Sequence, residues 1–269
     1  MVSRRRPPRG AEGGRPAHQA PGELKGRLSL ARALSKFGVC SRKEAARRIE
    51  AGRVKVGGVV VRWPARRIDP KADQVTVDGE RVGDLSGRVV LALHKPKGYL
   101  TTRTDPQGRK TVYDLITAFA DWVFPVGRLD RDTSGLLILT NDHRLGQRLT
   151  DPIAHVVKTY HAKVQGIPDG EALQALREGL SLPDGTLTLP ATVTVLGGAK
   201  EAATWLEIGL TEGKNRQVRR MCAAVGHEVL ALTRTAVGGL SLGDLAEGEW
   251  RRLAPGEIQR LSGPPSARR

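Results

Sequence analysis

The chain has 269 residues, 39% of them apolar and only 4% aromatic, and carries a formal net charge of +16. Its length suits one large or two modest domains at roughly 150 residues each, and its charge favours a polyanionic partner, nucleic acid ahead of a membrane surface. The composition argues against a transmembrane helix, because no run of about 18 apolar residues occurs. It argues equally against a secretory signal, a disulfide framework and a zinc site: the basic N-terminus has no apolar stretch, Cys40 and Cys222 are the only cysteines, and the six His are scattered.

Taken in chain order, residues 1–23 combine Arg4, Arg5, Arg6, Pro7, Pro8 and Arg9 with Gly and Ala and show no hydrophobic period, which predicts a disordered basic tail. Residues 24–86 read as a small unit. Leu28, Leu30, Ala31 and Leu34 share one helical segment that Gly38 stops. Ser41 and Glu44 have capping-box spacing ahead of a second helix ending near Glu50 and Gly52. Gly57-Gly58 divides a hairpin, and Asp78-Gly79 turns a second strand pair.

From residue 87 to 262 the pattern is strand-rich. Strands are expected at 89–93, 136–139, 156–164, 191–196, 204–210 and 228–234. Helices are expected at 112–120, 142–149, 169–179 and 217–225, with a last helix or turn near Pro255. Residues 263–269 read as a second loose tail. Helices interrupt the strands irregularly, so the fold class is α+β, with a mixed or mainly antiparallel sheet rather than a parallel βαβ wind.

The charge is uneven: residues 1–86 hold 20 Lys and Arg against 9 Asp and Glu, net +11, and the remainder 24 against 19. Arg32, Lys36, Arg42, Lys43, Arg47 and Arg53 lie on or beside the two helices. The runs Gly38-Val39, Ser41-Arg42-Lys43 and Ala51-Gly52, with Val54 and Val56, resemble the αL-type RNA-binding module first known from a small-subunit ribosomal protein. The resemblance implies that these cations meet RNA phosphates.

A charged, Gly-bounded turn, Gly127-Arg128-Leu129-Asp130-Arg131-Asp132-Thr133-Ser134-Gly135, runs straight into the apolar run 136–139 and on to Asn141-Asp142. Reactive groups tend to sit on loops held by rigid scaffold. This stretch resembles the signature of the ribosomal RNA branch of the pseudouridine synthases, the RsuA/RluB type. Three further runs resemble that family's motifs in order: His94-Lys95-Pro96-Lys97-Gly98-Tyr99, Lys158-Thr159-Tyr160, and Glu212-Gly213-Lys214-Asn215-Arg216-Gln217-Val218-Arg219-Arg220-Met221. Together they span about residues 26 to 260.

The resemblance implies an α+β catalytic domain behind the RNA-binding module and an isomerisation of uridine to pseudouridine within ribosomal RNA. The reaction is redox-neutral and imports no group, so neither cofactor nor metal is expected. Asp130 is the implied catalytic carboxylate, acting as nucleophile on the sugar or as base on a sugar proton. Arg219 is its implied ion-pair partner, offsetting the desolvation that would otherwise raise its pKa. Tyr160 is implied to stack on the target base. Arg128 is read as holding the vacated stack or a phosphate once the base is flipped out. Lys95, Lys97, Lys214, Arg216 and Arg220 are read as RNA contacts.

The expected protein is a cytoplasmic monomer acting on ribosomal RNA or an assembly intermediate, with large-subunit RNA favoured. A noncatalytic assembly factor on the same scaffold is the rival that Asp130, Tyr160 and Arg219 argue against. No Gly-rich nucleotide loop follows a strand to support a methyltransferase.

Overall fold

A computed structural model describes residues 27–70, 72–82, 88–119, 122–197 and 202–261. Both expected tails and the expected boundary at 86/87 lie outside the described residues. The chain divides into two compact units, Met1–Ala33 with Arg42–Gly83, and Leu34–Ser41 with Asp84–Arg269. The first helix therefore runs from one unit into the other.

The first unit opens with β1 (Leu28–Ser29), α1 (Leu30–Lys36) and α2 (Arg42–Glu50). Then come β2 (Val54–Val56), β3 (Val59–Val60), β4 (Arg67–Ile68), β5 (Val75–Val77) and β6 (Glu80–Val82). The strands β3-β2-β5-β6 form an antiparallel sheet, and β1 pairs with β4. Alternation does the local work: Val54, Val56, Val75 and Val77 are buried, whereas Lys55 between them is exposed. Ala45 and Ile49, four apart on α2, are likewise buried. The β5–β6 turn places Asp78 and Gly79 at positive φ, as a two-residue hairpin of this hand requires.

The second unit is built on a nine-stranded sheet. Its strands are β7 (Val90–Lys95), β8 (Phe124–Pro125), β9 (Ser134–Thr140), β10 (Lys158–Gln165), β11 (Thr192–Gly197), β12 (Ala203–Leu210), β13 (Val229–Val237), β14 (Leu240–Ser241) and β15 (Trp250–Arg252). The order is β11-β12-β10-β13-β9-β7-β15, with β14 beside β13 and β8 beside β9. All pairs are antiparallel except β13 with β9. The helices are α3 (His143–Thr150), α4 (Gly170–Glu178), α5 (Gln217–Ala224) and α6 (Pro255–Arg260).

Every residue of β9 is buried. Leu136 and Ile138 enter one hydrophobic cluster with α3, and Leu137 and Leu139 enter another on the opposite face. Burial on both faces explains why this strand reads as a continuous apolar run.

The helix expected over 112–120 is instead one 3₁₀ turn, Val112–Leu115. The Asp114 carboxylate accepts the Thr111 backbone N–H at 2.6 Å, closing that turn locally, and β-branched Ile116 and Thr117 follow, which favour helix weakly. Among the described residues no helix is long and apolar enough to cross a membrane.

Candidate active site

The loop 127–133 is held to its neighbours by a set of backbone-directed hydrogen bonds. The Thr101 hydroxyl donates to the Leu129 carbonyl at 2.8 Å and accepts the Leu129 N–H at 3.2 Å. The Gly98 N–H donates to the Arg131 carbonyl at 2.7 Å. Lys95 Nζ donates to the Thr133 carbonyl at 2.7 Å and to the Pro96 carbonyl at 2.9 Å.

Lys95 is wholly buried. Burial pulls its pKa down from 10.5 to about 8, against the opposing pull of Asp132 and Asp130. It therefore cannot serve as the RNA contact expected from sequence; the buried Thr133 carbonyl of the loop and the Pro96 carbonyl need a donor, and Lys95 supplies it. Lys97, next along, is exposed.

Where the loop enters β9, Gly135 meets Arg234 of β13 in the parallel register. Gly135 has φ +110, and a Cβ there would stand 2.2 Å from the Arg234 carbonyl oxygen and 2.5 Å from its nitrogen. Only glycine lets the two backbones approach this closely. The contact brings β13 and the loop together at one sheet end.

A cleft of about 460 Å³ opens there, lined by Arg128, Asp130, Lys158, Tyr160, Arg216 and Arg234 among others. Lys158 and Tyr160 alternate on β10, so they share a face, and Arg234 stands in register with Tyr160. Arg234 is buried and donates through Nε to the Leu136 carbonyl at 2.8 Å. Burial, and then the neighbouring Arg234 charge, lower the pKa of Lys158. Lys158 entered the sequence reading only as the first residue of the Lys158-Thr159-Tyr160 run, with no role of its own, and Arg234 was given none; the two-residue spacing from Tyr160 places Lys158 on the cleft face.

Asp130 is half-buried, and its carboxylate makes no hydrogen bond or ion pair among the described residues. Its expected partner is elsewhere. Arg219 donates to the carbonyls of Asp132 at 3.0 Å and Val229 at 2.9 Å, and its Nε lies 3.3 Å from Asp132 Oδ2. That last approach is an ion pair without hydrogen-bond alignment, since Nε is buried and unpartnered by direction. Asp132 also takes a bidentate pair from Arg216, at 3.0 and 3.1 Å. Desolvation of Asp132 opposes its ionisation, but the Arg216 hydrogen bonds and the Arg219 charge outweigh it and hold the carboxyl below its ordinary value.

Arg216 itself sits in the left-handed region, φ 47, at the N-cap of α5. It therefore enters the cleft from a left-handed helix cap, with its guanidinium held by Asp132. The Asp132 hydrogen bonds raise its pKa, with Asp130 adding a smaller pull. Lys214, also in the cleft lining, is taken up by Glu212 at 2.8 Å and by the Leu187 carbonyl. Arg220 pairs with Asp184 at 2.5 Å rather than lining the cleft.

Of the first-unit cations, Arg32, Arg42 and Lys43 are exposed, as is Lys36, which clusters with the second unit. Arg47 is exposed with Glu44 at 3.8 Å. Arg53, also exposed, makes a bidentate pair with Asp78, at 2.7 and 2.6 Å, fastening the start of β2 to the β5–β6 turn.

The chain is similar to known proteins in sequence and in fold. Residues 89–224 match the RNA pseudouridylate synthase family and residues 29–74 the S4 domain. The chain is 40% identical over 233 residues, 86% of its length and 94% of the relative's, to ribosomal large subunit pseudouridine synthase B of Bacillus subtilis. It is 42% identical over 183 residues, 63% of this chain and 76% of the relative, to ribosomal large subunit pseudouridine synthase E of Vibrio parahaemolyticus. A crystal structure of a pseudouridylate synthase superposes with a TM-score of 0.62 at 28% identity, covering 87% of this chain and 99% of that one. With its open aspartate in a basic cleft, this chain belongs to the RNA pseudouridylate synthase family and carries an S4 domain ahead of the synthase domain.

Proposed function

We propose that the protein isomerises uridine to pseudouridine in large-subunit ribosomal RNA, as a cytoplasmic monomer that needs no cofactor. The observation that carries this reading is Asp130: a carboxylate left without a partner, on a loop fixed from several sides, in a cleft with Tyr160 and cations around it. The names of the relatives from B. subtilis and V. parahaemolyticus favour the large subunit.

In this reading Asp130 acts on the ribose of the flipped nucleotide, as nucleophile or as base. Tyr160 stacks on the uracil, and Arg128, exposed at the cleft mouth, takes a phosphate or the vacated stack. Arg216, in the cleft lining with Asp130 and drawn electrostatically toward it, adds positive charge beside the carboxylate. Arg219 acts one step back, by fixing Asp132. Lys158 and Arg234 add positive charge at the cleft floor. Lys97, Lys214 and Arg220 contribute to RNA binding, together with Arg32, Lys36, Arg42, Lys43, Arg47 and Arg53.

The test is conversion of uridine in transcribed large-subunit and small-subunit ribosomal RNA by the purified protein, read by pseudouridine mapping. Modification of the large-subunit transcript is the expected result. Modification of the small-subunit transcript alone would move the substrate, and no modification of either would remove the reading.

A further inference from the structure

Trp63 is 57% exposed, an unusual setting for the largest aromatic side chain in a protein with few aromatics. It follows edge strand β3 and opens the turn Trp63-Pro64-Ala65-Arg66, closed by the Arg66 N–H on the Trp63 carbonyl at 3.1 Å. The turn is bound to the start of α1: the Ala31 N–H donates to the Pro64 carbonyl at 3.1 Å and the Leu30 N–H to the Arg66 carbonyl at 2.8 Å. So Trp63 sits on a fixed backbone: its turn ends at Arg66, leads on to Arg67, and is bonded through Pro64 to Ala31, the residue before Arg32. All three arginines are exposed, and none has an ion-pair partner among the described residues.

We propose that Trp63 is a stacking platform for an unpaired RNA base, with Arg32, Arg66 and Arg67 receiving the flanking phosphates. The inference rests on the reading that this protein acts on RNA. The charge identifies the partner: an apolar protein surface covering the indole would also have to desolvate guanidiniums that have no counter-ion. A single strand presents the required pair of features, a π face and a backbone charge at close spacing, and a continuous duplex hides the first of them.

The probe is fluorescein-labelled single-stranded RNA, compared with a fully paired duplex of the same composition, bound to the full chain across a salt series. Trp63→Ala should weaken single-strand binding by about tenfold or more, the size of one lost base stack. Trp63→Phe should restore most of it, and duplex binding should stay within about twofold. Trp63→Ala should leave the salt slope unchanged, whereas Arg66→Ala should lower it by about one.

A second readout is the indole itself: wild-type fluorescence should quench on single-strand binding by a component absent from Trp63→Ala. Wild-type affinity in Trp63→Ala, or equal losses on single strand and duplex, would overturn the platform. If the wild-type protein bound neither RNA, the platform and the reading beneath it would fall together. Wild-type conversion of ribosomal RNA with unchanged Trp63→Ala binding would remove the platform alone.

Discussion

Replacing Asp132 by Asn should disarm the cleft while leaving RNA binding intact. The substitution keeps the size of the side chain but removes the charge that two arginines share. The Asp132 and Arg216 side chains are 46% and 45% exposed, so solvent screens their bidentate pair to about 1 kcal/mol at most. Arg219 is only 14% exposed, and an uncompensated, partly buried cation adds roughly another 1 kcal/mol. Its bond to the Asp132 carbonyl survives the change, which limits the loss.

A total near 2 kcal/mol makes the pinned arrangement up to roughly 30-fold rarer, and single-turnover conversion should fall with its population. RNA affinity should hold or tighten, since one negative charge is gone from a basic surface. The assay is single-turnover conversion at saturating protein, alongside a binding titration. Asp184→Asn, which frees Arg220 outside the cleft, is the control and should stay within about twofold. Asp132→Asn turnover within threefold of wild type, or a fall explained by weaker binding, would refute the positioning argument. The carboxyl is depressed in the folded state, so its contribution to stability is present above the ordinary aspartate value of about 3.9 and lost as pH falls through the lower folded value. Melting curves of Asp132→Asn should therefore show a flatter acid limb than wild type.

Gly135→Ala should cost at least ~4 kcal/mol in a denaturant titration, because the new Cβ meets Arg234 backbone at 2.2 Å. Gly98→Ala, at φ +91 but with nothing within 4 Å, should cost only about 1–2 kcal/mol, so equal losses would show that backbone angle rather than crowding sets the penalty. Lys95→Met should slow conversion by leaving the Thr133 carbonyl without its donor. Because the folded pKa of Lys95 is lowered from 10.5 to about 8, the folded state binds that proton less tightly than the unfolded one. Wild-type stability relative to Lys95→Met should therefore rise as pH climbs between those two values, by up to roughly 3 kcal/mol. A melting-temperature difference that stays flat across that range would contradict this.

The most legible parts of the sequence were those whose signals are local. β9 showed itself because both its faces are buried and it never alternates. α3 was marked at its start by Asp142, which caps the N–H groups of Arg144 and Leu145. Strand β15 carried no such signal: it is three residues long and becomes a strand only by pairing with β7 from far along the chain.

The motifs placed Asp130, Tyr160, Arg128 and Arg216 in one cleft. They could not say which of two aspartates in one turn Arg219 would face, since Asp130 and Asp132 differ by rotation of a tight loop rather than by any pattern along the chain. Lys95 misled for a different reason. Lysine is rarely buried unless its donors are used, and of the two carbonyls that use them one, Thr133, lies nearly forty positions away. The Arg53–Asp78 pair was equally invisible along the chain, since the two come close only once the hairpins form.

Pseudouridine mapping of transcribed large-subunit ribosomal RNA after incubation with wild-type protein or Asp130→Asn, with RNA binding measured on the same samples, reaches the central claim most directly. Conversion should fall by at least ~10²-fold in the variant, while its affinity for the RNA remains that of wild type. An Asp130→Asn protein that still converts within tenfold of wild type would contradict the assignment of this carboxylate as the group that acts on the sugar.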